Sequence, residues 1–592
     1  MISVLRSVAG LVAFAVVDAA ALASQSPAPP AADSVRRALA DYAQQAEALG
    51  ASGVLLVADG DDILLHRALG WRDRTHRVPN DTTTLFYIAS MEKQFIATAV
   101  LVLEDEGRLR TNDTLPSFFE NVPPDKRAIT LDQLLSHTSG LGFYGWDPVR
   151  RDWLIQDRDQ VVHGILESRL AHQPGSQFDY QNVNYLLLAA VVERVSGLTW
   201  ESFVQQRFLQ PLAMRNTFVG WDPRALRERM AWSIDDESES FTMADRPASW
   251  LRLGRGVVMT ASDLYRWIRA VGKGGVLSAA SRRKLFTIHA SLGPGYGYGL
   301  GWFVRADSSG APRVVFHGGD YGAYHGEMRL YPPSGRIMIA LTNVGYRGRS
   351  ITETLLNGAV TVFHGSPSPL PLLARGGEIA DDSLAGEYQS ATGGTMLVSA
   401  IGGSLVVTPV SQRAVDWLTR GDTAGSSARE LAGSNALRLV EGLKAGRVDL
   451  DIGGTVPAEL RRELDAEWSG LTRVGGRLKS VQLLGTMAGP EGDEQLSLLR
   501  LKFERDSLLY GVGWKDGALA YTQPGTRNVI GTTVFAAAAG GDWVAYNWTA
   551  DALAPVTFSR GHPVGRAPSL VFRSTDGDVV FTRRPSGENH ER

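Results

Sequence analysis

Thr84-Leu85-Phe86-Tyr87-Ile88-Ala89-Ser90-Met91-Glu92-Lys93 leads directly into the apolar positions Phe95, Ile96, Val100 and Leu101. The pattern predicts a helix with a Ser-x-x-Lys pair at its start. Residues three apart on a helix share a face, so the Lys93 amine is placed beside the Ser90 hydroxyl. A serine hydroxyl is a poor nucleophile until a base removes its proton. The positive end of the helix dipole and partial burial both disfavour an ammonium ion, which fits Lys93 for that task. The Ser90 backbone N–H, in the first helical turn, is available to an oxyanion. The same residues also read as a helix N-cap followed by a surface lysine. The motif recurs at Ser281-Arg282-Arg283-Lys284, where two arginines place it on a solvated helix.

Two further segments supply partners for Ser90. Tyr180-Gln181-Asn182 follows Pro174-Gly175 and opens a strongly apolar helix over residues 185–192. A phenol and an amide at that spacing can point at one spot from a turn, and the phenol can relay a proton to a leaving group. Val314-Val315-Phe316 then leads into His317-Gly318-Gly319, an extended run ending in residues with no side chain to block a ligand. Each segment has an ordinary alternative: Tyr180 as a packed aromatic, His317 as a hydrogen-bonded turn residue, the glycines as turn formers.

Taken together, these segments resemble the serine β-lactamases and penicillin-recognising proteins. The likeness is to the branch holding class C β-lactamases, D-Ala-D-Ala carboxypeptidases, D-aminopeptidases and related esterases. Leu134-Leu135-Ser136-His137-Thr138-Ser139-Gly140-Leu141 is similar to that family's Leu-Leu-x-His-Thr-Ser-Gly-Leu segment. Pro211-Leu212-Ala213-Met214 resembles its Pro-Leu-Gly-Met. Gly297-Tyr298-Gly299-Leu300-Gly301-Trp302 and Leu341-Thr342-Asn343 complete an ordered set over roughly residues 35 to 365.

The resemblance implies an α+β fold, an antiparallel sheet flanked by helices plus an all-helical part. It implies Ser90 as the acylated serine, Lys93 as proton acceptor and Tyr180 as proton shuttle. Asn182 would hold the substrate amide and the lysine, and the N–H of Asp320 would be the second oxyanion donor. The third motif departs from Lys-Thr-Gly, because His317-Gly318-Gly319 supplies no permanent cation for a substrate carboxylate. A histidine with an ordinary pKa is mostly neutral at pH 7 and would charge as the pH falls towards 6. These features point to amide, peptide or ester hydrolysis of the D-aminopeptidase, carboxypeptidase or esterase type. A β-lactamase proper and a catalytically idle scaffold or binding protein are the alternatives.

Composition narrows the remaining classes. The chain has 592 residues, a net charge of −3 and no cysteine, which argues against nucleic-acid partners and excludes disulfides, thiolate nucleophiles and Cys-based zinc. No Gly-x-Ser-x-Gly or His-Glu-x-x-His pattern occurs, and neither metal nor cofactor is expected. Lone His137 reads as a structural turn residue. The expected partner is a small-molecule, peptide or ester substrate, cell-wall material included. Arg6, an apolar run over residues 8–17 and Ala21-Leu22-Ala23 read as a signal peptide (1–23), followed by a linker over 24–33. The product is expected to be exported, periplasmic or secreted, with no integral membrane segment after cleavage. The hydrolase domain is expected over 34–365 and a linker over 366–375. Residues 376–592 are expected to form an all-β, lipocalin-like barrel with one helical interruption near 458–471.

Overall fold

The computed structural model describes residues 32–584, apart from 74–76, 143–157, 221–222, 233–255, 322–323, 347–348, 372, 374–381, 402–403, 415–425, 448–455, 457, 489–493, 506, 525–532, 538–542, 548–551, 565–566 and 575–576. The signal-peptide segment 1–23, and most of the linker expected after it, lie outside the described residues. Among the described residues no helix is long and apolar enough to cross a membrane.

An antiparallel sheet of eight strands forms the centre of the first region. Its order is Asp62–Leu69, Gly53–Asp59, Arg336–Thr342, Tyr324–Tyr331, Pro312–Tyr321, Phe303–Ala306, Tyr296–Tyr298 and Ala290–Gly293. The first two strands in chain order form a hairpin around Asp59-Gly60, with Gly60 at φ 64° in its turn. Alternating side chains send the sheet's apolar residues to two separate cores. Leu55, Val57, Met338 and Ala340 pack with the helices Ala32–Ala48 and Thr352–Phe363. Val54, Leu56, Ile339 and Leu341 pack with Lys93–Asp105, Asn182–Ser196 and Ala261–Lys273.

The helix Lys93–Asp105 is buried over its first eleven residues, including Lys93, Gln94 and Thr98. A helix apolar on all sides needs cover on all sides. Phe95 stacks on Trp267 at 4.0 Å between ring centres, and the Trp267 indole N–H donates to Gln94.

Beyond residue 382 the chain closes an eight-stranded barrel from Gly386–Ser390, Thr395–Ile401, Ser404–Pro409, Thr533–Ala537, Trp543–Asn547, Ala552–Val564, Ala567–Ser574 and Gly577–Arg583. Tyr388, Phe535, Trp543 and Phe581 belong to its apolar cluster. The expectation of an all-β region is corrected. Between the third and fourth barrel strands lie two helices, Ser426–Lys444 and Ala458–Gly475, and a four-stranded antiparallel sheet spanning Leu478–Ala488 to Ala518–Pro524. Only the second helix was expected. The first carries two glycines, three serines and an asparagine among its alanines, which blurs its helical period.

The barrel touches the first region at the end of the helix Ala32–Ala48. Ser404 Oγ donates to the Ala48 carbonyl at 2.9 Å, and Ala536 joins the core beneath that helix. Ser368 and Leu370, in the connecting stretch, also contact this region: Ser368 bonds Gln45, and Leu370 is buried.

Candidate active site

Ser90 sits in a tight turn, Ala89–Glu92, just ahead of the helix Lys93–Asp105. The strand Phe86–Tyr87 pairs with Val257–Met259, and Ile88 N–H donates to the Val257 carbonyl, so the approach to the turn is anchored. Ala89 has φ 46°, a left-handed backbone costing a non-glycine residue about 1 kcal/mol or more. That conformation turns the chain sharply before the serine.

Lys93 is fully buried, and its Nζ lies 3.1 Å from Ser90 Oγ and 2.7 Å from Asn182 Oδ1. The same nitrogen is 4.6 Å from the Tyr180 ring centre. Burial pulls its pKa down to about 7, against an opposing pull from Glu92. Glu92 is itself fully buried, and that burial pushes its pKa well above the carboxylate range against the pull of Trp200 and Lys93. Burial outweighs the pull from Glu92, so Lys93 can be an amine near neutral pH. The Tyr180 hydroxyl is hydrogen-bonded to the Ser90 side chain, and burial raises its pKa, so it is a phenol. Asn182 opens the helix Asn182–Ser196 and is exposed, leaving the site open on that side.

The strand Pro312–Tyr321 forms the facing wall. Its ladder to Phe303–Ala306 ends at Phe316, while the other edge pairs with Tyr324–Tyr331 through Tyr321. Gly319 is pressed against the serine turn: a Cβ there would fall 2.1 Å from the Ile88 carbonyl oxygen and 3.2 Å from Ser90 N. Gly318 projects to the opposite face, where the nearest atom to a Cβ would be 3.5 Å away. Of the two glycines, only Gly319 is required by close approach. Asp320 shares the Gly318 face, and its carboxylate meets His325 Nδ1 at 2.5 Å. Only its backbone is left for a role at Ser90.

His317 is buried with both ring nitrogens engaged. Nδ1 donates to the Gly318 carbonyl at 2.6 Å, and Nε2 accepts from the Tyr298 hydroxyl at 3.2 Å. Burial and the nearby Lys93 hold its pKa down at about 3. The expectation that His317 would charge as the pH falls to 6 is therefore corrected. Its ring is a neutral wall element fixed by Tyr298, a partner the sequence reading passed over.

The second Ser-x-x-Lys has no such surroundings. Ser281 Oγ donates to Asp105 at 2.7 Å, and Lys284 pairs with Glu104 at 2.8 Å, an arrangement that joins two helices.

A serine, a buried amine, a phenol and an amide thus converge beside the antiparallel sheet, in the arrangement that the resemblance to the penicillin-recognising proteins implies. Residues 35–361 match the family model described as Beta-lactamase, and the chain belongs to that family. Penicillin-binding protein 4* of Bacillus subtilis (strain 168) is 28% identical over 338 residues, covering 54% of this chain and 74% of that protein. The putative penicillin-binding protein PbpX of the same organism is 31% identical over 265 residues, 44% of this chain. The match spans 64% of PbpX, less than two thirds of its length. Among solved structures, D-amino acid amidase from Ochrobactrum anthropi SV3, complexed with L-phenylalanine amide, is 21% identical with a TM-score of 0.48. That match covers 56% of this chain and 97% of the amidase. Members of the family include hydrolases.

Proposed function

We propose that this protein is an exported serine hydrolase that forms an acyl-enzyme on Ser90 and cleaves amide, peptide or ester bonds in substrates lacking a carboxylate beside the scissile bond. The observation that carries the reading is the position of Lys93, buried between Ser90 Oγ and Asn182 with a pKa near 7.

In this mechanism neutral Lys93 takes the Ser90 proton as Oγ attacks the substrate carbonyl carbon. The oxyanion is held by the backbone N–H groups of Ser90 and Asp320. Tyr180 passes a proton to the leaving amine or alcohol, which departs as the carbonyl re-forms on Ser90. Water then attacks the ester, giving its proton back through the same groups, and the free acid leaves with Ser90 restored. Asn182 orients Lys93 and accepts or donates to the substrate amide.

His317 supports the preference for uncharged groups. A neutral imidazole with both nitrogens engaged offers no fixed charge to a carboxylate. The second reading is β-lactam acylation, which the names of the two Bacillus subtilis relatives favour. The two readings separate on kcat/KM for a D-Ala amide, a p-nitrophenyl ester and benzylpenicillin, each with Ser90→Ala as control. Amide or ester turnover well above penicillin hydrolysis is expected; penicillin turnover exceeding both would favour the second reading.

A further inference from the structure

We propose that His137 is a positioning residue of this site, its imidazole holding the turn that carries Tyr180 and Asn182 against Ser90 and Lys93. The inference rests on the acyl-enzyme reading above and deepens it. His137 is fully buried and has φ 57°, so the backbone is held in a conformation that a non-glycine residue avoids.

The imidazole makes two bonds at one atom. Nδ1 accepts from the Gln181 backbone N–H at 3.2 Å and lies 3.0 Å from Asn184 Nδ2. Ser139 Oγ donates to Asn184 Oδ1 at 2.5 Å, which turns the amide N–H of Asn184 towards the ring. The imidazole proton is therefore on Nε2. The His137 carbonyl accepts from Asp179 N–H at 2.8 Å. Residue 137 thus grips positions 179, 181 and 184, on both sides of Tyr180 and Asn182. Its ring lies 4.4 Å from the Tyr180 ring. The helix Asn182–Ser196 has no side-chain cap at Gln181, so the histidine supplies the polar contact at its start.

The groups around Lys93 give this turn a measurable consequence. Glu92, Tyr180, Tyr185, His137 and His317 all lie close to it, and burial favours the neutral form of each. Asp320 acts on the Tyr180 side. Exclusion of water is then what keeps Lys93 an amine near neutrality, and a loosened 179–184 turn would admit water and raise its pKa.

The test uses the full chain and a p-nitrophenyl ester. His137→Phe keeps a buried ring and removes the acceptor. His137→Asn keeps an acceptor near the place of Nδ1 and tolerates the left-handed backbone. His137→Phe is expected to lower kcat about 100-fold with KM within about threefold, and to move the rising limb of the pH–kcat/KM profile up by about one unit. His137→Asn is expected to restore both. Asn184→Ala, which removes one donor and leaves the histidine, should move both in the same direction by less, and serves if His137→Phe does not fold. An unmoved limb, with kcat within about threefold in whichever of these variants folds, overturns the proposal. Fluorophosphonate labelling separates the two ideas. An unlabelled wild-type Ser90 would sink the acyl-enzyme reading, whereas a labelled Ser90 with an unmoved limb sinks the positioning role alone.

Discussion

The Tyr298 hydroxyl lies 3.2 Å from His317 Nε2, and this hydrogen bond orients the imidazole of the third motif. An imidazole accepting at Nε2 and donating at Nδ1 is neutral, and burial with Lys93 nearby keeps it so down to about pH 3. The ratio of kcat/KM for benzylpenicillin to that for an uncharged ester should therefore be flat from about pH 5 to 8, because Lys93 affects both alike. His317→Lys should raise the ratio by supplying a cation. A wild-type ratio that climbs several-fold towards pH 5 would show that His317 titrates in that range.

Lys93 gives the site its pH dependence. A lysine pulled down to about 7 is protonated below that pH and cannot accept from Ser90, so kcat/KM should rise as pH increases through 7. Lys93→Ala and Tyr180→Phe should each lower kcat by about 10² to 10⁴, the usual loss when a proton-transfer group is removed. A profile flat from pH 6 to 9 in the wild type would rule out Lys93 as the base.

Gly318 and Gly319 should respond differently to the same added methyl group. Gly319→Ala brings Cβ within 2.1 Å of the Ile88 backbone oxygen, so the turn holding Ser90 must shift. A displacement of about 1 Å at that point is expected to cost kcat about 100-fold. Gly318→Ala meets nothing nearer than 3.5 Å and should stay within about threefold of wild type. Kinetics of both variants, with Tm measured alongside, tests the close approach directly.

Much of this site is legible in the sequence because its determinants are local. Ser90 and Lys93 are one helical turn apart, and Tyr180 with Asn182 sits at one helix start. What is not legible depends on distant contacts. The complete burial of Glu92 beneath Trp200, the bond from Tyr298 to His317 and the grip of His137 on Gln181 each join residues far apart in the chain. The helix Ser426–Lys444 escaped for a different reason, since its small and polar residues give only a weak helical period.

The C-terminal region should support stability more than chemistry. Ser404 and Val534 touch the chain at Ala48 and Gly50, away from the residues around Ser90. Ending the chain after Leu373 keeps Ser368 and Leu370, which pack on the first region. That fragment is expected to lose several degrees in Tm, about 1–2 kcal/mol of contacts, yet to keep ester hydrolysis. Aggregation of the fragment would mean that the first region needs the barrel's contacts at Ala536 and Ser404 to fold.

The central claim is that Ser90, and not Ser281, is acylated. Intact-mass measurement after incubation with a fluorophosphonate, on wild type, Ser90→Ala and Ser281→Ala, tests it most directly. One adduct on wild type and on Ser281→Ala, with none on Ser90→Ala, is the expected result. An adduct of the same mass and rate on Ser90→Ala would contradict the account.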